Sequence, residues 1–218
     1  MKQLIVIRHG ETDWNRELRF QGQVDVPINA TGRVQAARLA EALTDEHVDA
    51  LVCSDLLRTR QTAEPVAARL KLDLQPDPGW REQSFGELEG LRVADVERDR
   101  PEIWAQWSRH EEDHAVPGGE SARHFHGRVM IALQRLAQTP HRRVLVVTHG
   151  GVLDMLWRTA RDLPLAGPRR CSIPNCGINR FHLEGERLSI MHWADDGHLC
   201  GLPEQPSTVP HGIRLASA

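Results

Sequence analysis

Residues 4–15 read LIVIRHGETDWN, and the way this stretch is read decides the fold. Leu4–Ile7 is a short apolar run, mostly β-branched, of the kind that forms a strand buried on both faces of a sheet. It ends abruptly on Arg8, His9 and Gly10, with Glu11, Thr12 and Asn15 close behind. A hydrophobic strand that delivers a cation and an imidazole at its carboxyl end suits the edge where open α/β sheets bind ligands.

Two more apolar runs behave the same way. Ala50–Cys53 leads into SDLLRTRQT at 54–62, and Val144–Val147 leads into Thr148-His149-Gly150. Helical patterns lie between and after the runs. In TGRVQAARLAEALTDEH (31–47), Val34, Ala37, Leu39, Ala40 and Leu43 fall roughly on one face, with Thr31 as the expected N-cap. RTRQTAEPVAARL follows the second run and GGVLDMLWRTAR the third. Strands alternating with helices indicate an α/β domain with a mainly parallel sheet. Near the end, INRFHLEGERLSIMHW (178–193) reads as a hairpin turning at Glu184-Gly185-Glu186.

Residues 91–138 look different. LRVADVERDRPEIWAQW and SARHFHGRVMIALQRLAQ are helical in pattern, joined through the Pro/Gly loop HAVPGGES, and no strand pattern lies inside. The stretch is expected to be a helical insertion beside or above the sheet. A single domain over residues 1–196 is expected, followed by a tail (197–218) of little periodicity and partial disorder.

Composition sets limits. The chain has 218 residues, 26% charged and 40% hydrophobic, with a formal net charge of -3. These are values of an ordinary globular protein, with no overall field to draw in nucleic acid or an anionic membrane. No stretch approaches the roughly 20 apolar residues of a membrane span, and the N-terminus lacks a signal peptide pattern. Cys53, Cys171, Cys176 and Cys200 form no C-x-x-C pair, so reduced thiols and a cytoplasmic location are expected. Nearly all cationic side chains are arginine, with only Lys2 and Lys71 as lysines, so a lone arginine carries little weight.

If the sheet is parallel, the three polar clusters meet at one edge and collect two histidines and several arginines. Guanidinium forks suit a phosphate. A neutral imidazole flanked by cations keeps a free lone pair at neutral pH, which makes it a nucleophile for phosphoryl transfer. A helix beginning after the third strand would add backbone N–H groups to the same anion.

The ordered set LIVIRHGETDWN, RFQGQVDVPINATG, SDLLRTRQTAE, WREQSFGELEG, VPGGES and VVTHGG resembles the histidine phosphatase superfamily, the branch that includes cofactor-dependent phosphoglycerate mutases. The resemblance covers Leu4 to about Gly151. It implies a three-layer sandwich and a phosphohistidine at His9, with Arg8, Arg58 and His149 completing the phosphate pocket. It implies further that Asn15, Gln21 and Gly22 contact the same group, Gly150 sits beside it, and Glu82 is the general acid and base. No metal or cofactor is implied, because arginines would stabilise the equatorial oxygens. A small-molecule phosphate ester is the expected partner; a homodimer stays open.

Several readings compete. The family spacing S-x-L-x-R-x-x-Q-T selects Arg58 over Arg60, leaving Arg60 as a rim contact or a surface arginine. From charge alone, Glu82 is indistinguishable from Glu87 and Glu89. HEEDH (110–114) matches the zinc pattern H-E-x-x-H, but Pro117 and the missing apolar frame make it read as a solvated loop. Trp104, Trp107, Phe85 and Phe125 either line a leaving-group pocket or pack the helices, with packing favoured. A mutase must hold a second anionic group, yet Glu82 is followed by Gln83, Ser84 and Phe85 rather than the mutases' histidine-tyrosine pair. The 95–113 segment is acidic on balance. Phosphatase is therefore preferred over mutase, and a non-catalytic phosphate-binding module has no use for a nucleophile. Which ester is cleaved is not legible.

Overall fold

The computed structural model describes residues 1–205; the rest of the expected tail lies outside the described residues. Six strands form one sheet in the order β3-β2-β4-β1-β5-β6. They are β1 (Lys2–Arg8), β2 (Ala50–Cys53), β3 (Leu74–Pro76), β4 (Arg143–Thr148), β5 (Ile178–Glu184) and β6 (Arg187–Asp195). The first four in that order run parallel, while β5 is antiparallel to β1, and β6 to β5. The helices are α1 (Asp13–Arg16), α2 (Ala30–Ala42), α3 (Leu57–Leu70), α4 (Val93–Asp99), α5 (Pro101–Trp107), α6 (Ala122–Gln138) and α7 (Gly150–Ala160).

The apolar runs are continuous because the sheet is covered on both faces. Leu4, Val6, Val144 and Val146 share one core with Phe125, Val129 and Leu133 of α6 and Val152, Leu153 and Leu156 of α7. Ile5, Ile7, Leu145 and Val147 point the other way and pack with Leu39 and Leu43 at α2 and with Ala63 and Val66 of α3. This is a three-layer α/β sandwich with a mostly parallel centre. Burying one such leucine or isoleucine contributes about 1.5–3 kcal/mol.

The hairpin turns through Gly185, whose φ of +59° lies where side chains are rarely tolerated. Within 91–138 two destinies separate. The α4 and α5 helices, parted at Pro101, join Phe20, Leu88, Val96 and Val116 in a small apolar cluster. By contrast, α6 carries Phe125, Val129, Ala132, Leu133 and Leu136 on one face and belongs to the sheet's own core.

In α2 the inward face is rotated from the expected one. Leu39, Ala40 and Leu43 are buried, but Val34 is 45% exposed while polar Gln35 is buried. Gln35 earns its place by accepting the Glu11 N–H through Oε1 at 2.8 Å. Asn29, not Thr31, caps this helix, its side chain accepting from Gly32 N. Tail residues 197–205 pack on the domain: Leu199 is buried beside the α2–α3 core, and Gln205 bonds the backbone of Asn175. Among the described residues, no helix is long and apolar enough to cross a membrane.

Candidate active site

Three strand ends are brought together by register. Arg8 pairs with Thr148 across β1 and β4, and Cys53 with Val147 across β2 and β4. His9 continues the ladder by donating its N–H to Thr148 O at 2.8 Å, and Ser54 does the same to Val147 O at 3.0 Å. The side chains that follow line a cavity of about 310 Å³, which includes Arg8, His9, Asn15, Gln21, Gly22, Arg58, Glu82 and Gly151.

His9 is held on both sides. Its Nδ1 lies 2.8 Å from the Gly10 carbonyl. A carbonyl only accepts, so Nδ1 carries the proton and Nε2 keeps its lone pair. Its own carbonyl accepts from Asn175 Nδ2 at 2.8 Å. Burial first, then the charges of Arg58 and Arg8, hold its pKa well below 6.5. The His149 ring packs edge-on at 5.3 Å between centroids and is depressed in the same way, by burial and then Arg58.

The two arginines are committed in part. Arg58, on α3, donates to Gly22 O at 2.7 Å and Val24 O at 2.9 Å. Glycine suits position 22: its φ is +51°, and a Cβ would push on the Glu89 carboxylate, with Oε1 at 2.0 Å. Arg8 donates from one terminal nitrogen to Ile173 O at 2.7 Å. Burial is the largest cause lowering both guanidinium pKa values, to about 10, so both stay charged at neutral pH. The buried Nε atoms of Arg8 and Arg58 and both ring nitrogens of His149 have no protein partner. Buried polar atoms of this kind are costly unless they find a partner; Arg8 and Arg58 reach the cavity wall and suit an anion there, while His149 lies fully buried behind His9. Guanidiniums beside the imidazoles make the site unsuited to a metal cation.

Glu82 stands across the cavity with both oxygens used: Oε1 accepts from Gln83 N and Oε2 from Gly151 N, each at 2.9 Å. Its loop is clamped by Arg128 of α6, which donates to the carbonyls of Gly79, Arg81 and Glu82 and to the Glu120 carboxylate. Glu120 in turn accepts from Ser84 N. Asn15 has Oδ1 taken up by Thr12 N in a capping box, so only its Nδ2 can serve a ligand.

Other sequence candidates are placed differently. Arg60 is exposed and absent from the cavity wall. Two residues along a helix turn it about 200° from Arg58, so the rim contact is not made. Gly150 opens α7 beside Arg8 and Arg169 rather than lining the cavity itself; Gly151 does that. Glu87 is exposed and Glu89 braces Gln23, Ser84 and Phe85, leaving Glu82 as the carboxylate of that loop on the cavity wall. HEEDH folds as turns, so its histidines share no helix face, yet His110 and His114 are half-buried in the cavity wall rather than solvated. Phe85, Trp107 and Phe125 also line it.

Arg128, Asn175 and Arg169 escaped the sequence reading. Arg128 carried a signal, standing eight residues after the Glu120 of VPGGES, while Asn175 carried none.

The family model of the histidine phosphatase superfamily (branch 1) matches residues 4–196. The chain belongs to the histidine phosphatase superfamily. Within the superfamily, it is 38% identical to phosphoglycerate mutase-like protein 4 of Arabidopsis thaliana, over 90% of this chain and 86% of that one. Among solved structures it resembles Bacillus stearothermophilus YhfR, with a TM-score of 0.82 at 28% identity over 91% of this chain and all of that one. It also resembles a mycobacterial glucosyl-3-phosphoglycerate phosphatase in complex with VO3, with a TM-score of 0.77 at 28% identity over 89% of this chain and all of that one.

Proposed function

We propose that this histidine phosphatase superfamily member is a phosphatase, hydrolysing a small phosphate monoester through a phosphohistidine at His9. The observation that carries the reading is the hydrogen bond from His9 Nδ1 to the Gly10 carbonyl, which leaves Nε2 as a lone pair between two buried guanidiniums.

In the first step Nε2 attacks phosphorus and the P–O bond to the alcohol breaks, with Glu82 supplying the proton to the departing oxygen. Arg8, Arg58 and His149 hold the equatorial oxygens. In the second step Glu82 takes a proton from water as the water oxygen attacks phosphorus, and the N–P bond breaks to return His9 and release phosphate. No step calls on a metal ion or an organic cofactor. The three buried thiols, Cys53, Cys171 and Cys176, are unpaired, which accords with a reducing, cytoplasmic setting.

The mutase alternative draws support from the name of the Arabidopsis relative. It is the weaker reading because the outer cavity supplies little for a second anion: Arg19 is bonded to Glu17 and Gly90 O, and Arg158 to Asp154 and four carbonyls.

Rapid mixing with 32P-labelled ester tests the reading. Label bound to protein, labile to acid and stable to alkali, is expected, with steady phosphate release in the absence of bisphosphoglycerate. Near-normal turnover in His9→Ala would overturn the covalent route, and transfer to phosphoglycerate outpacing hydrolysis would replace phosphatase with mutase.

A further inference from the structure

The proposed hydrolysis leaves the alcohol undefined, and the outer half of the cavity bears on it. Phe20, Phe85 and Trp107 form its wall on the side of the small apolar cluster. Phe20 meets Phe85 edge-on at 5.4 Å and Trp107 at 5.0 Å between ring centroids, and Trp104 stacks on Trp107 at 5.2 Å. Trp107 is thereby braced by its neighbours while part of it still faces the cavity, a preformed flat apolar contact with little rotamer entropy left to lose.

The charges there argue in the same direction. Arg158 spends Nε on Asp154 and both terminal nitrogens on the carbonyls of Pro164, Ala166, Gly167 and Pro168. Arg19 is spent on Glu17 and Gly90 O. Arg169 lies back at the phosphate end, its terminal nitrogens 3.4 and 3.6 Å from the point, beside Gly150, that Arg8 Nε approaches to 3.4 Å. Glu111 also faces the outer cavity. The imidazoles of His110, which packs on Trp107 at 5.2 Å between centroids, and His114 also line the cavity, and burial lowers the pKa of His110, so it offers an anion no full charge. A second phosphate or carboxylate against the rings of Phe85 and Trp107 would be stripped of water and sit near the like charge of Glu111. An uncharged ring there would instead bury area and meet other rings at favourable angles.

We infer that the alcohol released is an uncharged, ring-bearing group resting against Trp107 and Phe85, and that esters carrying a second anionic group are selected against. This rests on the phosphatase reading, and the experiment separates the two.

Benzylphosphonate and ethylphosphonate, which the enzyme cannot cleave, are titrated by calorimetry, and kcat/KM is measured for benzyl phosphate, ethyl phosphate and 3-phosphoglycerate. Benzyl and ethyl alcohols differ little in acidity, so their ratio reports the wall rather than leaving-group chemistry. Benzylphosphonate should bind about tenfold more tightly than ethylphosphonate, with the same order in kcat/KM and 3-phosphoglycerate last. The benzyl-to-ethyl ratio should fall toward one in Trp107→Leu and only part of the way in Trp107→Phe, which keeps a ring in the cluster. Equal affinity for the two phosphonates, an undiminished ratio in Trp107→Leu, or preference for 3-phosphoglycerate would overturn the inference. Failure of the phosphatase reading looks different: selective benzylphosphonate binding with no phosphate released from either ester.

Discussion

The backbone N–H of Gly151 donates to Oε2 of Glu82 at 2.9 Å, tying the carboxylate to the first turn of the helix that opens just after His149. The proposed general acid and the proposed phosphate pocket therefore share one frame. A Cβ at position 151 would fall 2.0 Å from Glu82 Oε1 and 3.1 Å from Phe125 Cε1. Gly151→Ala should displace Glu82, lowering kcat/KM about 10²-fold, the scale of an ångström's misplacement. Because the carboxylate end can swing aside, the melting temperature should change little. Steady-state kinetics beside calorimetry checks both halves.

On the proposed mechanism, Glu82→Gln keeps the nucleophile and removes the proton donor. Turnover of alkyl esters should fall about 10²–10⁴-fold. For p-nitrophenyl phosphate, whose leaving group scarcely needs a proton, the deficit should shrink. An equal loss on both esters would assign Glu82 a different job.

Arg128 should act through Glu82. Its guanidinium holds three carbonyls of the 79–82 loop and the Glu120 carboxylate. Arg128→Leu should lower kcat for alkyl esters about 10–100-fold, with a smaller loss on p-nitrophenyl phosphate and partial recovery in Arg128→Lys. A merely structural role would lower both esters alike.

The pKa values of His9 and His149 both lie well below 6.5, with burial as the largest cause. The folded state therefore binds fewer protons than the unfolded chain once pH drops through that value. Their contribution to stability is complete above about pH 6.5 and lost as pH falls, at up to about 1.4 kcal/mol per pH unit for each histidine. Urea unfolding at pH 7.5, 6 and 5 should show this acid-side loss, and His149→Gln should flatten it. Nucleophilic competence of His9 should likewise persist below pH 6.5, where an ordinary imidazole is mostly protonated.

How much of this was legible in the sequence depends on the range of the forces involved. The strands at Leu4–Ile7, Ala50–Cys53 and Val144–Val147 were legible because burial on both faces demands an unbroken apolar run. The meeting of Arg8, His9, Arg58 and His149 followed from parallel pairing. Short-range pattern failed where one long-range bond decided the outcome. Gln35 turns inward for a single backbone N–H of Glu11, rotating α2 against its apolar pattern. Arg60 illustrates helical period: two residues from a buried arginine is the far side. Strand β3, three residues ending in Pro76, is too short to show an alternation. The HEEDH histidines line the cavity in a turn held from far along the chain, with His110 O accepting from Gly167 N, which no spacing encodes.

The in-register pairing of Arg8 with Thr148 has a consequence for how the protein comes into being. The two central strands are neighbours in space and separated by most of the chain, so joining them carries a large loop-closure entropy and ranks among the slower events of folding. A ribosome-bound chain that has not yet exposed β4 holds His9 but neither His149 nor the ladder that fixes His9. Phosphate affinity should thus appear late and all at once during synthesis, making ligand binding a reporter of completed folding rather than of the N-terminal motif alone.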